Sequence, residues 1–338
     1  MKLVTFKSNN LSRLGIYTNG KIYDSNAHNS ALPDNMLSLL NGGEAAMDVM
    51  RKAELEIHEG KTNIEGIIYS DSILLAPIPN PTSCRDGYAF RQHVAAARRN
   101  RNVPMIAEFD EYPIFYFTNH NAIQGPGEIW CMPDHFQKLD FELEIAVVLG
   151  KKGRNIKAEK TDEYIAGYTI MNDMSARTLQ MEEMLLNLGP AKGKDFSTVI
   201  GPYLITPDEL QSYLVPAKTN HAGNNYNLDM KCWVNGVEVS SGNVGDMDWT
   251  FAEIIERCAY GVDIWPGDVI GSGTVGTGCF LELNGTGLLN DKQFKPQWLQ
   301  ANDLVEMEIT GLGKLSNTIK AVETDFSILA LKKAKQTA

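Results

Sequence analysis

Three prolines at alternate positions, Pro77, Pro79 and Pro81 in "APIPNPT", set the first limit on how this chain can fold. Proline donates no backbone hydrogen bond and fixes its own φ, so neither a regular strand nor a helix runs through such a stretch. The 338 residues therefore divide into a small N-terminal domain, 1–76, and a larger one, 77–338. The first reads as α+β. "KLVTFK" alternates as a strand does, and "LGIYT" and "KIYD" flank Asn19-Gly20, the pair that a type I′ hairpin turn favours. "DNMLSLL" and "EAAMDVMRKAELE" have helical spacing, and "SILLAP" closes the unit as an apolar strand.

Beyond the prolines, strands dominate. "FELEIAVVLG" alternates, "YTIMND" and "TVIGPYLITP" are short apolar strands, and "DMKCWVNGVEVS" turns at Asn235-Gly236. "FLELNGTG" and "DLVEMEITGLG" read as two more strands, while "TFAEIIERCAYG" has helical period and a glycine stop. Regular strand-helix-strand repeats are missing, which disfavours a doubly wound nucleotide-binding sheet and favours an α+β, mostly β, architecture.

Composition narrows the function. The net charge is −11 and the basic residues are scattered apart from "RRNR" at 98–101, which speaks against nucleic acid as a partner and favours a cation over an anion. The longest apolar runs fall far short of the ~20 residues a membrane helix needs, and the first residues are too polar for a signal peptide, so a cytoplasmic protein without a membrane partner is expected. Five widely separated cysteines without a Cys-x-x-Cys pair read as reduced thiols.

Five stretches could carry chemistry. In "DFELEIAVVLG", Phe141, Leu143 and Ile145 share one strand face and Glu142 and Glu144 the other. Two carboxylates side by side are either the solvated face of an edge strand or half of a site for a hard divalent cation. In "NDMSARTLQ", a helix starting near Asn172 would align Asp173, Arg177 and Gln180 on one stripe, which an N-cap with an i,i+4 ion pair explains except for Gln180. "LGPAKGKDFSTVIGP" sets Lys194 in an irregular glycine-rich loop, as a solvated lysine or as a donor to an anion. "GDVIGSGTVGTGCFLEL" has the glycines of a phosphate cradle. It lacks the Lys-Ser/Thr ending of a P-loop and runs on into an expected strand, which argues against nucleotide binding. In "RDGYAFRQH", Asp86 and His93 fall on roughly one side of a helix that begins near Asp86.

Taken in order, these segments resemble the fumarylacetoacetate hydrolase family over about residues 77–315. The resemblance implies a β-rich roll carrying the site, a homodimer, and no organic cofactor. It matches Asp86, Glu142, Glu144 and Asp173 to four carboxylates that hold one divalent cation; an all-oxygen set suits Mg²⁺, Ca²⁺ or Mn²⁺ and argues against zinc. His93 matches the catalytic histidine, with Glu282 as the strand glutamate that orients it. Arg177, Gln180 and Lys194 match residues around the developing oxyanion. Tyr88 and Tyr116 would contact substrate, Thr274 would bind its far carboxylate, and Thr198 beside Lys194 would add a weaker cation site. The implied activity is hydrolysis of the carbon-carbon bond of a 3,5-dioxo acid such as fumarylacetoacetate, in tyrosine and phenylalanine catabolism. Acylpyruvate or fumarylpyruvate hydrolysis, and oxaloacetate decarboxylation or tautomerisation, are the alternatives on the same scaffold.

Overall fold

A computed structural model describes residues 1–333, so the last five residues of the expected 77–338 domain lie outside the described residues. Its spine is an eleven-stranded sheet. In spatial order this runs Ile67–Ile68, Lys21–Asp24, Leu11–Thr18, Lys2–Ser8, Thr198–Ile205, Ile165–Asp173, Leu143–Leu149, Asp268–Gly271, Ser83–Gly87 and Phe115–Thr118, with Ile123–Gln124 beside Thr198–Ile205. A second sheet of five strands orders Val237–Asn243, Asp229–Val234, Leu304–Ile309, Gly313–Ala321 and Gly127–Cys131. The architecture is α+β with sheets dominating, and neither sheet closes into a barrel.

Both Asn-Gly turns form as their residues dictate. Asn19 and Gly20 have φ of 50° and 76°, Asn235 and Gly236 have 53° and 77°, and only residues tolerant of positive φ allow this turn. The helix Phe251–Ala259 is closed at its start by Thr250 and Glu253, each side chain accepting from the other's backbone N–H.

Residues 1–76 do not stand apart. Lys2 and Leu3 pair with Ile205 and Leu204, so the N-terminal hairpin extends the main sheet rather than forming its own. Leu3, Leu14, Ile16 and Met50 share one buried cluster with Cys84, Ala146, Val148 and Ile200 from beyond the prolines.

Four local expectations change. "SILLAP" is not a strand: Ser70 caps a single turn at Asp71–Ile73, and Leu74 makes only an isolated bridge to Phe6. "FLELNGTG" begins a helix, Phe280–Asn290. Asp86 ends on the strand Ser83–Gly87, and His93 lies on the separate helix Arg91–Asn100. Asp173 is the last residue of its strand, while Arg177 opens the helix Arg177–Met184, so no common helical stripe joins them.

Candidate active site

The strand Leu143–Leu149 lies mid-sheet, hydrogen-bonded on both sides, and all seven of its residues are buried. Glu144 is 0% exposed and Glu142 6%, which excludes the solvated face. Asp86 arrives from the parallel pairing of Ser83–Gly87 with Asp268–Gly271, and Asp173 from the end of the neighbouring strand. Asp86, Glu142, Glu144 and Asp173 each offer an oxygen, and those oxygens lie within 4.8 Å of one another.

Four buried carboxylates cannot all ionise there without counter-charge. Burial, reinforced by the charge of Asp173, pushes Asp86 up to about 7. Burial and the charge of Asp86 hold Glu144 well above the usual carboxylate range. Glu142 goes the other way: burial opposes its charge, but Lys194 and Arg177 prevail and hold it at about 2. Lys194 donates to Glu142, and to Asp173 at 2.7 Å. Burial works against its ammonium, yet Asp173 and Glu142 raise its pKa and keep it charged.

One lysine and one arginine do not complete this balance. Glu144 Oε2 and Asp173 Oδ1 are buried without a hydrogen-bond partner. Orphaned acceptors in an all-oxygen cluster are what a hard divalent cation satisfies, so the residues fit one.

Above the carboxylates, His93 Nδ1 lies 2.6 Å from Glu282 Oε2. The other oxygen of Glu282 accepts from the backbone N–H of Thr277, 3.0 Å away. Thr277 is held at φ 70°, an uncommon conformation for a β-branched residue, in the glycine-rich loop. That loop is followed by a helix, which removes one argument against a phosphate cradle. Two of its amides nevertheless go to carboxylates, Thr277 N–H to Glu282 and Gly273 N–H to Asp86 at 3.0 Å.

The helices carrying His93 and Glu282 pack closely because Gly285 leaves room for Asn100, whose side-chain amide donates to the Glu282 carbonyl at 3.0 Å.

Arg177 donates from Nε to Asp140 at 2.8 Å, from Nη2 to Glu142 at 2.7 Å and from Nη1 to Gln180 Oε1 at 2.9 Å. Gln180, its oxygen occupied by Arg177, lines the cavity. Tyr116 donates its hydroxyl to Asp173. Tyr88 meets the His93 ring edge-on with centroids 6.1 Å apart. Thr274 lines the cavity with its hydroxyl 3.4 Å from Glu144. Lys194 is a buried counter-ion to Glu142 and Asp173, and the Thr198 hydroxyl lies 3.5 Å from that of Thr118.

Asp140 was not anticipated. It is 0% exposed and accepts from Phe280 and Leu281 N–H at 2.8 and 2.9 Å as well as from Arg177. It thereby caps the helix bearing Glu282 and anchors Arg177. The signal was present, since Asp140 precedes Glu142 and Glu144 in the same alternation. The cavity over the site has a volume of about 700 Å³ and a largely apolar outer wall including Ile106, Ile114, Met181, Met184, Leu288 and Trp298. Arg98 and Arg101 of the basic run line it too.

The model of the fumarylacetoacetate (FAA) hydrolase C-terminal region matches residues 82–320, and the chain belongs to this family. It is 32% identical over 332 residues to the mitochondrial oxaloacetate tautomerase FAHD2A of Bos taurus, covering 94% of this chain and 91% of that protein. The mitochondrial oxaloacetate tautomerase fahd2 of Xenopus laevis is also 32% identical, covering 94% of this chain and 90% of its own. Among solved structures, the fumarylacetoacetate hydrolase of psychrophilic Exiguobacterium antarcticum superposes with a TM-score of 0.67 at 24% identity, covering 95% of this chain and all 100% of that one. The maleylpyruvate hydrolase of Sphingobium sp. SYK-6, in complex with manganese (II) ion and pyruvate, gives 0.68 at 20% identity over 96% of this chain and 100% of its own. Among the described residues no helix is long and apolar enough to cross a membrane.

Proposed function

We propose that this protein is a divalent-metal-dependent hydrolase that cleaves the carbon-carbon bond of a 3,5-dioxo acid resembling fumarylacetoacetate. The observation that carries the reading is the His93–Glu282 pair, 2.6 Å apart, beside four buried carboxylates. A cation such as Mg²⁺, Ca²⁺ or Mn²⁺, held by Asp86, Glu142, Glu144 and Asp173, would bind the β-diketone oxygens and neutralise the enolate that leaves.

The chain's own residues supply the rest. His93 takes a proton from water, and Glu282 fixes its tautomer and stabilises the imidazolium that forms. The hydroxide adds to the carbonyl carbon, with Gln180 and the Lys194 ammonium as donors toward the oxyanion and Arg177 holding Gln180 in place. When the carbon-carbon bond breaks, its electron pair passes to the departing carbon and the His93 proton replaces it there. Tyr88 and Tyr116 flank the reacting chain, and Thr274 faces its far carboxylate. A cavity of about 700 Å³ exceeds the needs of a four-carbon diacid and suits a longer acyl chain.

A second reading has its own support. Likeness along nearly the whole chain to oxaloacetate tautomerases favours keto-enol interconversion, for which the same histidine would carry the proton without activating water. We place the protein in the cytoplasm, where its five buried free cysteines stay reduced, and as a homodimer, which sedimentation would check.

Turnover of fumarylacetoacetate, fumarylpyruvate and oxaloacetate by Mg²⁺-loaded protein separates the readings. Chelator-sensitive loss of β-diketone absorbance that His93→Ala and Glu282→Gln abolish supports the hydrolase and a place in aromatic amino acid breakdown. Oxaloacetate interconversion alone, unchanged in Glu282→Gln, overturns it in favour of the tautomerase.

A further inference from the structure

We propose that the protein carries a second, softer metal site, formed by His93, Glu142 and Cys279, which takes Zn²⁺ and stops turnover when filled. Each residue offers one ligand atom, an imidazole nitrogen, a carboxylate oxygen and a thiol sulfur, and the three atoms lie within 4.8 Å of one another. All three residues are buried, Cys279 completely. The reaction above gives Cys279 no task. It sits directly before the helix that bears Glu282, and its four fellow cysteines belong to other parts of the chain.

The donor sets set the two centres apart. Four carboxylates favour a hard ion, whereas nitrogen, sulfur and oxygen together are a zinc set and hold Mg²⁺ poorly. Glu142 belongs to both, so the second site adjoins the first. On binding, the thiol proton passes to solvent and the sulfur coordinates as thiolate.

Inhibition follows from the geometry and rests on the reading of His93 as the base. If zinc takes Nε2, the lone pair for proton transfer is gone. If it takes Nδ1, the 2.6 Å bond to Glu282 is broken. Either way the pair stops working while the four-carboxylate centre keeps its own ion.

The test adds Zn²⁺ to protein in excess Mg²⁺ and follows turnover, and in parallel adds Co²⁺ and records the thiolate-to-cobalt charge-transfer absorption. The expected result is loss of turnover with zinc, and a cobalt absorption that disappears in Cys279→Ser and Cys279→Ala. Both variants keep Mg²⁺-dependent turnover and need at least about tenfold more zinc for half inhibition. Zinc inhibition unchanged in both variants, or native protein without the cobalt absorption, overturns the proposal. The cobalt spectrum decides on the site even if no substrate is turned over, so failure of the hydrolase reading remains distinguishable.

Discussion

Gly285→Ala separates the geometry of the His93–Glu282 pair from the stability of the fold. A Cβ at position 285 would lie 2.4 Å from Asn100 Nδ2 and 2.8 Å from Asn100 Cβ. Ordinary contact between such atoms needs about 3.5 Å, so the two helices must separate, or Asn100 must move, by roughly 1 Å. Overpacking of this kind costs about 1–3 kcal/mol, and alanine in place of a helical glycine returns about 1 kcal/mol, so the net stability loss is about 2 kcal/mol or less. Activity is far more sensitive, because a displacement of about 1 Å in a catalytic group costs on the order of 100-fold. We expect kcat to fall by roughly that factor while unfolding in urea shifts by about 2 kcal/mol or less and Mg²⁺ binding is unchanged. Asn100→Gly in the same chain should restore much of kcat by removing the clashing side chain. A Gly285→Ala protein whose kcat stays within about twofold of the native value would refute the view that close helix packing sets the pair.

Two further outcomes follow from the buried charges. Asp140→Asn keeps the volume but turns one acceptor into a donor, so either Arg177 or the amides of Phe280 and Leu281 lose a partner; kcat should drop at least about tenfold, with urea unfolding shifted by about 2 kcal/mol. Activity equal to the native enzyme would remove Asp140 from the machinery. For the metal-free protein, Asp86 at about 7 and Glu144 well above the usual range have folded values above their unfolded ones. The contribution of Asp86 to stability is therefore full below about pH 4 and is lost as pH rises through about 7, and that of Glu144 has the same sign. Glu142, held at about 2, has the opposite sign, and its contribution is lost only as pH falls from about 4 toward 2. The rise in melting temperature on adding Mg²⁺ should thus be larger at about pH 8 than at about pH 5, and a pH-independent increment would contradict the carboxylate cluster as its binding site.

Sequence patterns reveal what neighbouring residues decide between themselves. Glu142 and Glu144 could be assigned to one face because alternation is a property of the strand itself, and both Asn-Gly turns could be located because positive φ is tolerated by those side chains. Which face is buried was not readable, since that depends on Ile165–Asp173 and Asp268–Gly271 arriving on either side of the strand. The same distinction explains the misread helix. "FLELNGTGLLN" alternates like a strand, carries two glycines, and lacks a side-chain cap of its own.

What closes the start of that helix is Asp140, whose carboxylate lies some 140 residues earlier in the chain and accepts from Phe280 and Leu281. A cap supplied from that far away leaves no local pattern. Its effect on chemistry is direct, because the helix it starts turns Glu282 toward His93, and the oxygen that receives Leu281 N–H also receives Arg177. Asp140 therefore links the His93–Glu282 pair to the carboxylate cluster through Arg177. The short run Asp140, Glu142 and Glu144 thus supplies the cap and two of the four clustered carboxylates, so a substitution at any of the three reaches beyond its own contacts.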